Sequence, residues 1–89
     1  MFSVRADEQA IEYKQDGRKL GEITWVLRDE TMVMDHTFVS NELRGQGIAK
    51  KLLDEAATYA REHNYKMHAV CSYVVTAFER YDDYEDIKA

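Results

Sequence analysis

A change of hydrophobic period partway along the chain constrains its fold more than any other feature. Between residues 10 and 39, short alternating stretches are separated by turns, which indicates β-strands. The period then becomes 3.6, and one face collects Ile48, Leu52, Ala56, Tyr59, Ala60 and His63. This pattern predicts an amphipathic helix over 46–63. The chain therefore combines α and β structure.

The segments around this helix define the expected topology. Three strands are predicted before it, at 10–14, 19–28 and 32–39, joined by tight turns into an antiparallel meander. A fourth strand at 66–71 and a short helix at 73–81 follow it. A right-handed crossover through the long helix would make the third and fourth strands parallel. We expect one compact α/β (α+β) domain over residues 1–89, with a mixed, mainly antiparallel sheet.

Composition excludes several classes of function. The 89 residues carry a formal net charge of −5, which argues against nucleic-acid binding and against docking on an anionic membrane. Cys71 is the only cysteine, and no His/Cys cluster has metal-ligand spacing, so no metal is expected. No apolar run has the length of a signal peptide core or a membrane span. A cytoplasmic location is the simplest expectation.

The start of the long helix has an unusual composition. Gly45 and Gly47 stand two apart, with the cations Arg44, Lys50 and Lys51 around them. A glycine inside a helix costs roughly 1 kcal/mol relative to alanine, and cations are unfavourable at the positive end of the helix dipole. These features agree if a bound anion such as a phosphate caps the helix, because glycines allow close approach and free N–H groups donate to it. The alternative is an ordinary glycine-containing turn with solvated lysines.

The same loop carries a family resemblance. The segment RGQGIA at 44–49 resembles the Arg/Gln-x-x-Gly-x-Gly/Ala signature of the GNAT superfamily, the acyl-CoA-dependent N-acyltransferases. Arg44, Gly47 and Ala49 occupy the matching positions. The segment also lies between a predicted strand and a predicted helix, as the signature requires. The resemblance therefore implies a GNAT-like domain.

Two further segments are similar to the short YjdJ-type branch of that superfamily. They are DHTFV at 35–39 and CSYV at 71–74. The chain departs from the branch at 80–84, where RYDDY replaces a common RHPEY, and at Ser72, where a proline is usual. These departures concern local backbone geometry. The likeness extends over residues 19–87.

The resemblance implies acetyl-CoA or coenzyme A as the ligand. Its diphosphate would be held by the backbone of Gly45, Gln46, Gly47, Ile48 and Ala49. Arg44 and Lys50 are the cationic candidates, although Lys50 could equally be solvated. The pantetheine arm would pass Phe38 and Val39, between the two parallel strands. Tyr73 would line this channel or serve as a core aromatic residue.

Cys71 and His36 are the candidate catalytic residues. Both parallel strands are expected to end at one edge of the sheet, where ligands of such sheets bind, so Cys71 should lie near the glycine loop and the thioester. A thiol can accept an acyl group from a thioester, but a lone cysteine is more often a small core residue. His36 is predicted to share a strand face with Met34 and Phe38. The resemblance makes it a candidate base or orienter of the thiol, and its alternative is a hydrogen-bonded core residue.

The function expected from the resemblance is N-acetyltransfer from acyl-CoA to an unidentified amine, either directly or through Cys71. The predicted strands follow one another through turns, without the helices that enclose the acceptor in full-length GNAT domains. An open acceptor side would suit a protein amine, or no acceptor at all. The alternative is a non-catalytic module that binds or senses CoA or acyl-CoA. A third possibility is a small interaction domain whose glycine loop is only a turn.

Overall fold

A computed structural model describes all 89 residues of the chain. Five strands are formed: β1 (Phe2–Val4), β2 (Ala10–Gln15), β3 (Arg18–Arg28), β4 (Thr31–Val39) and β5 (Lys66–Ala69). The helices are α1 (Ile48–His63) and α2 (Ser72–Arg80), with short 3-10 helices at Asn41–Leu43 and Asp82–Tyr84. The strands form one sheet in the order β1-β2-β3-β4-β5. Only β4 and β5 pair in parallel, so the predicted mixed, mainly antiparallel sheet is confirmed.

Both helices pack on one face of the sheet. Alternation along β3 directs the side chains of Ile23 and Trp25 toward the helices, and these residues are 0% and 2% exposed, respectively. A single cluster of 20 buried residues joins the sheet to α1, α2 and the C-terminal segment. The opposite face of the sheet carries no helix. Neither helix combines the length and apolar character that crossing a bilayer would require.

The two ends of the sheet differ from the prediction. The first strand, β1, was not predicted; it pairs with β2, and the rings of Phe2 and Tyr13 lie 4.8 Å apart. Strand β5 was predicted to reach residue 71 but ends at Ala69. The N–H groups of Val70 and Cys71 both donate to one carbonyl of β4, at 3.1 and 2.9 Å, which ends the regular ladder. Cys71 is therefore the N-cap of α2 and not the last residue of a strand.

A β-bulge interrupts the pairing of β3 with β4. Trp25 pairs with Met34, whereas the preceding residue Thr24 pairs with His36, so Asp35 is an extra residue on β4. The Thr24 hydroxyl donates to the Asp35 carboxylate at 2.5 Å and holds the bulge across the two strands. An extra residue shifts the inside–outside alternation of everything that follows it.

The bulge corrects the predicted orientation of His36. Met34 is fully buried on the helix side, but His36 pairs with the outward Thr24 and is exposed. His36 therefore does not share a face with Met34, although Phe38 does lie on its side of the sheet. Thr37 occupies the helix side instead, since it pairs with the buried Ile23.

Candidate functional site

The loop between β4 and α1 contains one side-chain cap, and this cap belongs to a short 3-10 helix that precedes α1. The Ser40 hydroxyl accepts the N–H of Glu42 at 3.3 Å and so caps the short helix Asn41–Leu43. The N–H groups of Arg44 and Gln46 then close turns at 3.2 Å on the carbonyls of Asn41 and Leu43. Helix α1 starts after Gly47, which has φ 70° and ψ 22° and provides no side-chain cap.

Several backbone N–H groups at this turn have no hydrogen-bond acceptor within the protein. The unpartnered groups belong to Gly45, Gly47, Ile48, Ala49 and Lys50. Every helix start leaves such groups, but a capping side chain usually satisfies one of them and acidic residues favour the first turn. Here the first turn contains no acidic residue. The turn therefore presents an array of donors and the positive end of a 16-residue helix to an anion.

The turn is also open. Gly45 has φ 83° and Gly47 has φ 70°, and a Cβ atom added to either would meet nothing within 4 Å. Both residues adopt the left-handed conformation that glycine tolerates best. The three surface cavities of the molecule lie elsewhere; the largest, about 370 Å³, lies beside Arg61 and Asp86. A ligand at the turn would thus bind along the surface.

The side chain of Lys50 is directed away from the turn. Its Nζ atom lies 3.1 Å from Asp54 and 3.3 Å from Asp83, and 4.7 Å from the centroid of the Tyr81 ring. Burial would lower the pKa of Lys50, but the neighbouring Tyr84, Asp54 and Asp83 outweigh it and raise the pKa above its usual value. The charge of Lys50 is therefore balanced inside the protein, while its backbone N–H remains free.

Arg44 is the cation that the turn leaves available. It is exposed and forms no ion pair, and Gln46 beside it is also exposed. Lys51 is exposed in the first turn of α1. Of the two cations expected to contact the ligand, Arg44 has a free side chain and Lys50 does not.

A gap opens between the two parallel strands at their carboxyl ends. Their pairing stops at Met34 and Ala69, and β4 continues without a partner on that side as far as Val39. The N–H of Ser40 donates to a carbonyl of β3 at 2.7 Å. Alternation along a strand then directs the peptide groups of Thr37 and Val39 away from β3, into the gap. The glycine loop follows β4 at this edge of the sheet.

Cys71 lies at the same edge, as its place after β5 predicts. It is a free, half-buried cysteine at the start of α2, and that helix has no side-chain capping hydrogen bond. The Sγ atom donates to the Thr37 hydroxyl at 3.3 Å. The structure thus brings together the thiol, the end of β4 and the gap between the strands.

The remaining candidate residues divide between the two faces of the sheet. His36 and Phe38 lie on the helix-free face, and 42% of Phe38 is exposed. Val39 and Tyr73 are partly buried against the core. Burial raises the pKa of Tyr73. The side chain of His36 makes no hydrogen bond, to Cys71 or to any other residue.

Unbroken alternation along β4 places Thr37 on the helix-free face, so the sequence pattern does not predict its contact with Cys71. A signal was present in the sequence. Asp35, His36 and Thr37 are three successive polar residues that follow the apolar run 32–34. Such a break in alternation is what a bulge produces.

Comparison with protein families identifies the class to which this fold and loop belong. The family described as GCN5-related N-acetyl-transferase matches residues 9–87. The chain belongs to this family, which confirms the resemblance to the GNAT superfamily. Members of the family use acetyl-CoA to acetylate amines, so the fold is one that supports acyl transfer.

Solved structures give the same result. A GCN5-like protein from Staphylococcus aureus, assigned as an N-acetyltransferase, is 36% identical with a TM-score of 0.78, and the match covers 98% of this chain and 87% of that one. An IAA acetyltransferase from Bacillus cereus is 30% identical with a TM-score of 0.56, over 65% of this chain and 40% of that one.

A more distant structure shares the fold alone. The ribosomal-protein-S18-alanine N-acetyltransferase from Escherichia coli is 12% identical with a TM-score of 0.61, over 65% of this chain and 38% of that one. This chain thus spans less than half of the two larger enzymes. Comparison with curated proteins gives no significant match.

Proposed function

We propose that this chain binds acetyl-CoA and transfers its acyl group to an amine. Residues 1–89 would form a single-domain N-acetyltransferase of the short YjdJ-type branch, which would act in the cytoplasm. The observation that carries the proposal is the open turn of unpartnered N–H groups at the start of α1. A diphosphate fits this turn because it is compact, anionic and rich in acceptor oxygens.

The cofactor would lie along one edge of the sheet. Its diphosphate would accept hydrogen bonds from the unpartnered N–H groups of the segment 45–50, with Gln46 and the free guanidinium of Arg44 beside it. The N–H of Gln46 itself is already bonded to Leu43. The pantetheine arm then follows the unpaired edge of β4 past Phe38 and Val39, with Tyr73 on the helix side. This path ends in the gap between the strands, next to Cys71. The backbone N–H groups that β4 directs into the gap are suited to polarise the thioester carbonyl.

Cys71 would carry the acyl group between two transfers. In the first, its sulfur bonds to the carbonyl carbon of the thioester, the bond from that carbon to the CoA sulfur breaks, and the thiol proton ends on CoA. In the second, an amine nitrogen bonds to the same carbon, the carbon–sulfur bond to Cys71 breaks, and a proton from the amine restores the thiol. The products are an amide, free CoA and the original protein.

His36 is the candidate base for the acceptor amine. It is exposed on the helix-free face of the sheet, in the part of β4 that borders the gap between the two parallel strands. That face has no helix to enclose a small molecule, which suits an amine displayed on a protein. The lack of a helix on this face also favours a second candidate function, a module that binds or senses acyl-CoA without turnover.

Matched glycine substitutions test the binding site. Gly45→Ala and Gly47→Ala should each weaken acetyl-CoA binding at least about tenfold, because a left-handed alanine is strained by roughly 1–2 kcal/mol and distorts the donor array. Gly17→Ala is the control, since Gly17 has φ 78° and equally open surroundings in the turn between β2 and β3. Calorimetry gives the affinity, and amide chemical shifts locate the ligand.

Three outcomes separate the candidate functions. No amide shift at residues 44–50 with millimolar CoA would contradict any CoA-dependent function and leave an interaction domain. Binding without a mass adduct on Cys71, and without any acetylated amine in an acceptor screen, would favour the sensing module. Binding with an adduct that is absent from Cys71→Ala would support transfer through the thiol.

A further inference from the structure

The bulge on β4 determines which residue faces Cys71. If Asp35 were paired regularly instead of bulging, alternation would put Thr37 on the helix-free face and His36 on the helix side with Met34. The bulge reverses this order over the last part of the strand. Thr37 consequently lies on the side of the sheet where α2 begins, while its peptide group faces the gap.

Thr37 is also the hydrogen-bonding partner of the thiol. Its Oγ1 atom lies 3.3 Å from Sγ of Cys71, 34 residues away in sequence. Both residues are partly buried, and the Cys71 N–H is fixed at 2.9 Å on the carbonyl of Met34, three residues before Thr37. The cysteine is thus attached to the end of β4 by its backbone and by its side chain.

We infer that Thr37 is a positioning residue for the Cys71 thiol, holding its sulfur at the gap where the thioester would lie. The inference rests on the proposed function, because only a thiol that reacts needs a fixed orientation. A threonine suits this role, since branching at Cβ restricts its side chain to few rotamers within a strand.

The hydroxyl can serve both states of the sulfur. It carries one donor hydrogen and two acceptor lone pairs. It accepts the hydrogen bond of the resting thiol, as observed, and after the thiol proton has left it can rotate to donate to the sulfur. Valine has nearly the same shape as threonine but offers neither interaction.

Two substitutions at this position test the inference. Thr37→Val should lower the rate of Cys71 acylation at saturating acetyl-CoA about tenfold, the loss expected for one hydrogen bond, without changing the half-saturating concentration. Thr37→Ser should restore the rate to within about threefold. Because the chain has one cysteine, the mass of the intact protein reports the adduct. Thr31→Val, on the same strand but six residues away, is the control for a general effect on β4.

A second electrophile separates this inference from the proposed function. Iodoacetamide reacts with the thiol without needing the CoA site, and its rate should fall in Thr37→Val and recover in Thr37→Ser. If acetyl-CoA gives no adduct while iodoacetamide still distinguishes the two variants, positioning stands and the acyl relay fails. Equal iodoacetamide rates in Thr37→Val and the wild type would overturn the inference. A raised half-saturating concentration with an unchanged acylation rate would also overturn it.

Discussion

Thr37 and His36 are neighbours on β4, and each lies on the face of the sheet opposite to the one that regular alternation from Met34 predicts. Alternation alone predicts the reverse arrangement, because it cannot register the extra residue at Asp35. The bulge carries a hydrogen bond between Thr24 and Asp35, which are 11 residues apart on different strands. The glycine turn, in contrast, was recognisable from the sequence, because its glycines and cations lie close together in the chain.

At this scale, His36 and Cys71 are expected to act in different half-reactions. His36→Gln should leave acylation of Cys71 by acetyl-CoA unchanged, because no hydrogen bond joins the two side chains. It should slow transfer from the acylated protein to a small alkylamine by about 10²-fold, the lower range for loss of a general base. Single-turnover mass spectrometry measures both steps.

His68→Gln is the matched control, since His68 is also exposed and lies on the neighbouring strand β5. It should leave both steps unchanged. Slower acylation in His36→Gln would contradict the separation of the two half-reactions.

Among the secondary-structure elements, helix α1 is joined by side-chain contacts to the segment that follows α2. The Arg61 guanidinium binds the Asp86 carboxylate at 2.9 and 3.0 Å, and the Tyr84 hydroxyl donates to Asp54 at 2.5 Å. The sequence predicted the helix, because an amphipathic helix depends on a local hydrophobic pattern. The contacts of the acidic segment 82–86 with α1 join residues that are 25 and 30 positions apart, which no local pattern encodes.

The Arg61–Asp86 pair gives this junction a pH dependence. Hydrogen bonding to Arg61 holds the pKa of Asp86 below its usual value of 3.8. A carboxylate whose pKa is lower in the folded state stabilises that state above about pH 4, and its contribution is lost as the pH falls through the folded-state pKa. The small stability difference between wild type and Asp86→Asn should therefore be present at pH 7 and shrink toward pH 3.

Urea unfolding at pH 7, 5 and 3 measures this difference. Asp82→Asn is the control, since Asp82 neighbours the same segment but forms no ion pair. A difference for Asp86→Asn that stays constant over this range would mean that the charge of Asp86 does not stabilise the junction.

One core serves the whole molecule. Its 20 buried residues come from four of the strands, both α-helices, the short helix Asn41–Leu43 and the C-terminal segment, so no part has a separate hydrophobic interior. The change of hydrophobic period located the elements that build this core, and the crossover rule supplied their topology. The sequence did not predict strand β1, because three residues are too few to show hydrophobic alternation. This strand also depends on β2 for its hydrogen bonds.

A single core substitution should therefore weaken the entire fold at once. Leu52 is fully buried, and its Cδ1 atom packs against Gly21 on β3. Leu52→Ala should lower the free energy of unfolding by about 2–5 kcal/mol, a large share of the roughly 5–15 kcal/mol typical of small domains. Fluorescence of Trp25 and circular dichroism should report one coincident transition.

Leu27→Ala is the control, because 41% of Leu27 is exposed, and it should change stability by about 0.5 kcal/mol or less. Separate transitions for Trp25 and for the backbone signal would contradict a single cooperative unit.

The balanced charge of Lys50 has a consequence for how the turn would discriminate among anions. With that cation neutralised by two carboxylates, attraction at the turn depends on the side chain of Arg44 and on oriented peptide dipoles, which act only over short distances. Few counterions would be displaced on binding, so ionic strength should matter less than the number of cations in the sequence suggests. Such a turn selects ligands by the shape of their anionic group rather than by their total negative charge.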